Sequence, residues 1–177
     1  SRLPTRDIAS TGLVNALRRC GFTTDSVVST THEAISPAET SWSDFVKAHH
    51  GLERSFRRGW QKAVQLGSVT LDTIETDGAS AEEEYERYLA LYPVSWRGGT
   101  GTRVLEYRRR LIQEMERRGR VRIYFLRISG RAVSAIIWFR LAQVALASWT
   151  VYDLRFSCLS PGTLVLWAAH EELYKEG

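Results

Sequence analysis

The chain has 177 residues and a formal net charge of +4, with 44% hydrophobic and 25% charged residues. That length and balance suit a single globular domain with a real core, and exclude a disordered or collagenous chain. The longest apolar runs, Ala132–Phe139 and Val144–Tyr152, fall far short of the ~20 residues a membrane helix needs, so no membrane span is expected.

Ser1 is not an initiator methionine and no signal-like segment follows it, so the chain reads as cut from something longer. Cys20 and Cys158 give neither a disulfide framework nor a CxxC metal spacing, which makes the reducing cytoplasm the expected location. Charge is unevenly spread. Residues 1–96 carry a net −3 and residues 132–177 a net −1, whereas 97–131 hold eleven arginines against Glu106, Glu114 and Glu116. That +8 stretch fits either a phosphate-bearing ligand or a solvated helix face. No zinc finger or aromatic RNA-binding signature accompanies it.

Residues 1–40 are punctuated by Pro4, Gly12, Gly21 and Pro37, with one short helical candidate over Thr11–Cys20. Ser41-Trp42-Ser43-Asp44 looks like a capped helix start. Leu52, Phe56, Trp60 and Val64 then recur every four residues, predicting a helix to Leu66 that Gly67 ends. Ser68–Glu75 alternates as a strand with Val69, Leu71 and Thr73 on one face. After the Asp77-Gly78 turn, Ser80 and Glu83 open a second helix that Pro93 stops. The loop Arg97-Gly98-Gly99-Thr100-Gly101-Thr102 precedes a third helix, from about Arg103 to Arg118, capped by Gly119. Three extended segments follow, Val121–Ile128, Ala132–Leu141 and Val144–Asp153. Ser129-Gly130 and Ala142-Gln143 join them as short antiparallel links. A last helix runs from Pro161 to Glu176. The class is α+β, with a mostly antiparallel sheet; residues 1–67 form a mostly helical segment and 68–177 the core.

Several motifs are absent. There is no GxSxG elbow and no GxxxxGK phosphate loop. Gly99-Thr100-Gly101 starts like a dinucleotide fingerprint, but Val104 stands where the third glycine belongs and a helix, not a strand, comes before it. His49 and His50 project about 100° apart on a helix and cannot share a metal, so they are expected at the surface. Glu82-Glu83-Glu84 complements a helix start. No metal site is expected.

The element best suited to chemistry is Ser148-Trp149-Thr150-Val151-Tyr152-Asp153, then a short turn, then Ser160-Pro161-Gly162-Thr163-Leu164. With Ser160 as N-cap and Pro161 at the first helical position, the amides of Gly162, Thr163 and Leu164 are read as open donors for an anion. Glycine inside a helix costs about 0.8–1 kcal/mol against alanine. Gly162 therefore marks either a close approach by a phosphate or an incidental residue in an ordinary Ser-Pro start.

The order of strand, two helices, three strands and phosphate-cradling helix resembles the first two-thirds of the GNAT acyltransferase fold. Locally the chain is similar to the branch named for acetyltransferases of cellulose biosynthesis, akin to Fem-type peptidoglycan aminoacyl transferases. The matching features are the basic helix Phe56–Leu66, Ser95-Trp96-Arg97 with its glycine loop, and Tyr124-Phe125-Leu126-Arg127 with Gly130-Arg131-Ala132-Val133. Tyr152-Asp153…Ser160-Pro161-Gly162-Thr163 is the most specific. The match spans roughly Ser41 to Gly177. Two departures stand out. Ser157 and Ser160 replace two residues of the common Arg/Gln-and-glycine pyrophosphate loop. The family also continues past the point matching Gly177 with another strand, a helix and two more strands, so these residues read as an incomplete catalytic unit.

The resemblance implies an acyl-CoA donor, usually acetyl-CoA, held by Ser160, Gly162, Thr163 and Leu164, with its thioester against Ser148–Asp153. It implies direct attack by an amine or hydroxyl of a small-molecule, saccharide or peptide-like acceptor. Asp153 is the first candidate for general base and Tyr152 the second; Asp153 also suits a turn-fixing role. Trp96, Arg97 and Arg103 are candidates for the acceptor side, or for packing and solvated charge. Two other readings compete: a Fem-type transferase that uses aminoacyl-tRNA, and a non-catalytic module that keeps the fold.

Overall fold

A computed structural model describes residues 34–35, 41–75, 81–141 and 144–176. Its elements are β1 (Ala34–Ile35), α1 (Trp42–Ala48), α2 (His50–Leu66), β2 (Val69–Glu75), α3 (Ala81–Leu89), α4 (Thr102–Glu116), β3 (Val121–Ile128), β4 (Arg131–Leu141), β5 (Val144–Tyr152) and α5 (Pro161–Glu176). Short 3-10 turns occupy Tyr92–Val94 and Leu154–Leu159. The helix expected at Thr11–Cys20, the Asp77-Gly78 turn, the Ser80 cap and the Ala142-Gln143 link lie outside the described residues.

All strand pairs are antiparallel, in the order β1-β5-β4-β3-β2, which makes the α+β class expected from the sequence a fact of the structure. The central strands read as nearly continuous apolar runs because both faces of the sheet are covered. On one face Tyr124, Leu126, Ile136 and Trp138 pack with Phe45, Ala63, Leu164 and Trp167 from α1, α2 and α5. On the other, Ile123, Phe125, Ile137 and Phe139 meet Tyr85, Tyr88 and Tyr92 and Ile112 of α4. The helices before residue 67 thus share one core with the strands after it.

Local signals fix several boundaries. The Ser41 hydroxyl caps α1 by accepting from the Asp44 amide at 3.2 Å. Ser129 and Gly130 both take positive φ, 49° and 79°, as a two-residue hairpin link demands. Gly67, at φ 151°, lies so close to this hairpin that a Cβ would stand 1.9 Å from Ser129 Oγ. Val69, Leu71 and Thr73 share a face as expected, and the Thr73 hydroxyl donates to Glu172 of α5 at 2.6 Å.

One expectation needs correction. The single helix expected from the Ser41 start to Leu66 is broken at His49, where φ −117° and ψ 33° leave the helical region. The His49 ring sits 2.9 Å from the Phe45 carbonyl and stacks on the Phe45 ring, so the side chain competes for a helical acceptor. The break lets Trp42 and Phe45 join Trp167 and Tyr174 in one aromatic cluster. Of the row Leu52, Phe56, Trp60, Val64, the first three pack against the core as partly buried residues. A spacing of four advances about 40° past a full turn at each step, and by Val64 the row has wound into solvent, at 53% exposure. The buried positions are Gly59 and Ala63.

Candidate functional site

The strand β5 carries an irregularity where its chemistry would be needed. Its pairing with β4 shifts between Ile137 and Trp138, leaving Ser148 as an extra residue. On its outer side β1 covers only Ala145 and Leu146. From Ala147 to Tyr152 that edge has no neighbouring strand among the described residues. Instead Arg97 Nε donates to the Thr150 carbonyl at 2.9 Å. The main chain of Thr150 therefore faces the open edge, and by the two-residue period so does that of Tyr152. The Arg97 guanidinium lies 4.1 Å from the Trp96 ring centroid, and Trp96 is 56% exposed.

Ser95 organises this loop, donating to the Tyr92 carbonyl at 2.9 Å and accepting from the Arg97 amide at 3.1 Å. Behind β5, the Tyr88 hydroxyl donates to the Trp149 carbonyl at 3.4 Å and lies 3.5 Å from the Tyr92 hydroxyl. Burial holds the Tyr88 phenol well above its ordinary range, so it stays protonated and serves as a donor.

β5 ends at Tyr152, and Asp153 caps the 3-10 turn that follows. Asp153 is 1% exposed. Its Oδ1 accepts from the Arg155 amide at 3.0 Å and Arg155 Nε at 2.9 Å. Its Oδ2 accepts from a terminal nitrogen of Arg155 at 2.6 Å and one of Arg131 at 3.1 Å. Both carboxylate oxygens are thus engaged by guanidinium groups. Tyr152 is half-buried at the open edge.

The start of α5 differs from the sequence expectation in its donors. Ser160 adopts a left-handed conformation, φ 54° and ψ 55°, ending the turn rather than capping from extended backbone. Its carbonyl accepts from both the Thr163 amide, at 2.9 Å, and the Leu164 amide, at 3.1 Å. Leu164 is fully buried besides. Of the three amides read as open, only that of Gly162 lacks a protein acceptor among the described residues; the exposed Ser160 hydroxyl and that of half-buried Thr163 stand beside it. A Cβ on Gly162 would meet the Tyr152 ring at 3.4 Å and the Thr150 methyl at 3.5 Å, both ordinary contacts. Neither crowding nor a positive φ accounts for this glycine. It joins the open edge of β5 to the first turn of α5.

Gly59 of α2 escaped the sequence reading. A Cβ there would stand 2.3 Å from the Leu159 carbonyl oxygen and 3.0 Å from Leu164. Its signal was a glycine inside a helical run, the same anomaly that singled out Gly162. Arg103, in the exposed first turn of α4, makes no ion pair or hydrogen bond among the described residues.

A protein-family model described as an acetyltransferase (GNAT) domain matches residues 51–177. The chain belongs to this GNAT family. No curated protein and no solved structure matches it. The matched GNAT region takes in α2 through α5, hence the β5 edge, the turn and the α5 start together. Acyl-CoA, the donor general to this family, fits the donor set of this site: a strand edge open among the described residues, a free amide at Gly162 and hydroxyls at Ser160 and Thr163.

Around the GNAT core, six arginines of the +8 stretch are paired with acids, four of which (Glu82, Glu86, Glu176 and Asp72) lie outside it. Arg109 pairs with Glu82 and Glu86, Arg110 with Glu106, Arg117 and Arg118 with Glu114, Arg122 with Glu176 and Arg127 with Asp72. Among the described residues no cluster could hold a metal ion, and no helix is long and apolar enough to cross a membrane.

Proposed function

We propose that this GNAT domain is an acyl-CoA-dependent N- or O-acyltransferase, acetyl-CoA being the simplest donor. The observation that carries the reading is the β5 edge, Ala147–Tyr152, unpaired among the described residues and ending against Gly162 at the start of α5. When bound, acyl-CoA supplies a thioester whose acyl group passes to the acceptor nitrogen or oxygen as the sulfur leaves with a proton. Outward main-chain amides of Thr150 and Tyr152 polarise a carbonyl lying along the edge. The Gly162 amide and the Ser160 and Thr163 hydroxyls take the diphosphate, aided by the helix dipole. The Leu164 amide has no part in this, since Ser160 already holds it.

Tyr152 is our candidate for moving a proton between acceptor and leaving group. Asp153, with both oxygens held by Arg131 and Arg155, fits a positioning residue that sets the turn rather than a base. Arg97 is committed to the strand and fixes the glycine loop, with Trp96 and Arg103 presented to the acceptor. The acceptor is a small molecule, saccharide or peptide-like amine or hydroxyl. The aminoacyl-tRNA reading draws little support from a basic stretch in which seven of eleven arginines are already paired with acids.

The reading is tested by thiol release from acetyl-CoA with a panel of amine and hydroxyl acceptors. Acceptor-dependent release is expected, with Tyr152→Phe lowering kcat and leaving the KM for acetyl-CoA near its original value. Release unaffected by Tyr152→Phe would remove the tyrosine's role, and no acetyl-CoA turnover with any acceptor would remove the enzyme reading.

A further inference from the structure

Many cations on this surface are matched to acids: Arg57 to Glu53, Lys47 to Asp44, Lys175 to Glu171, and Arg109 and Arg110 of α4 to acids of α3 and α4. Arg54, Arg58 and Lys62 break the pattern. They stand four apart on α2, all exposed, with no ion pair or hydrogen bond among the described residues. An aligned row of like charges is unfavourable on a helix unless something anionic meets it.

The row's position says what that anion is. α2 approaches the 3-10 turn most closely at Gly59, whose missing Cβ makes room for the Leu159 carbonyl. On one side of Gly59, Phe56 stacks on Trp167 of α5 with ring centroids 5.6 Å apart. On the other side, at about 100° per residue, Lys62 lies about 60° and Arg58 about 100° round the helix, with Arg54 further round again. The helix itself packs on the turn through Gly59, and in that turn Ser157, Cys158 and Ser160 are exposed just before Gly162. Cations without counter-ions among the described residues are thus carried by the helix that packs on the turn and on Leu164, next to the proposed diphosphate seat in the chain.

We propose that Arg58 and Lys62, backed by Arg54, bind the 3′-phosphate of the donor's CoA moiety. The assignment rests on the acyl-CoA reading above. A terminal phosphomonoester is a compact dianion, and paired point charges and guanidinium forks on one helix flank are suited to it. The three residues thereby discriminate CoA from its dephosphorylated form, while the start of α5 holds what the two have in common.

The experiment compares CoA with 3′-dephospho-CoA by titration calorimetry, on the full-length protein and on an Arg58→Gln/Lys62→Gln variant whose melting curve confirms the fold. The original protein is expected to bind CoA about tenfold more tightly than dephospho-CoA, the scale of a charge-assisted phosphate contact. The variant is expected to bind both alike, at the original affinity for dephospho-CoA. Equal affinities in the original protein overturn the assignment, as does a variant that keeps the preference or weakens both ligands equally. Each single variant, expected to lose part of the preference, provides the same readout if the double variant misfolds. Binding of neither ligand overturns the acyl-CoA reading itself, a separate failure. Salt-sensitive tRNA binding that the variant loses, with no preference for CoA, would reassign the row to RNA.

Discussion

His170 of α5 is fully buried between aromatic rings, with Phe45 at 4.8 Å and Trp138 at 5.1 Å between ring centroids. Burial pushes its pKa down to about 3 from the ordinary 6.5, and the nearby His49 adds a smaller push in the same direction. The native imidazole thus stays neutral at pH values where the unfolded chain takes up a proton. Stability from this group is fully present above about pH 6.5 and is lost as pH falls toward 3. Each pH unit in that window costs about 1.4 kcal/mol, so acidification from pH 6.5 to 5 removes about 2 kcal/mol. In a chain of this size that lowers Tm by roughly 4–8 °C. Denaturant unfolding between pH 7 and 5 measures the loss, and His170→Phe, which keeps an aromatic ring in the site, is expected to flatten the slope. The chain has four histidines, so NMR titration can follow each separately. A His170 resonance that titrates near pH 6.5 in the folded protein would refute the reasoning.

Gly59→Ala drives a methyl group into the Leu159 carbonyl, and overpacking of about 1–3 kcal/mol exceeds the gain of about 1 kcal/mol in helix propensity. A lower Tm is expected, whereas Gly51→Ala, which meets nothing within 4 Å, is expected to raise it slightly; a Tm increase in the first variant would contradict the close approach. Asp153→Asn weakens the clamp between Arg131 and Arg155 and is expected to cost about 1–3 kcal/mol, the arginines being free to swing into water. Its pH–rate profile should keep its shape, and loss of the lower limb would restore Asp153 as the base. Gly162→Val places a branched side chain against Tyr152 and Thr150, and a drop of about tenfold or more in CoA affinity is expected by calorimetry. Unchanged affinity would leave the first turn of α5 without a ligand role.

What the sequence disclosed was local. The Ser129-Gly130 link, the Ser41 cap, Gly67 and the limits of α5 each rest on conformational demands confined to a few adjacent residues, and the structure has them where they were expected. The break at His49 was hidden because apolar periodicity runs on through it, and only the ring's reach to the Phe45 carbonyl betrays it. Regular fours on α2 found Leu52, Phe56 and Trp60, which pack on the core, but not the buried small residues Gly59 and Ala63, whose importance lies in what approaches them. At the candidate site, the Tyr152–Asp153 and Ser160–Gly162 segments were legible as a strand end and a helix start. Asp153's partner Arg131, 22 residues away, was not, nor were the distant acids that pair with Arg109, Arg122 and Arg127. Ser160's left-handed backbone also needed the turn before it, which the sequence read only as a short loop.

Hydrogen exchange with and without acetyl-CoA tests the location of the donor seat most directly. Slowed exchange is expected in two segments together, Ser148–Tyr152 on the unpaired edge and the first turn of α5 around Gly162. Saturating acetyl-CoA that leaves both segments unchanged while protecting another surface, such as the α3–α4 face, would contradict the account.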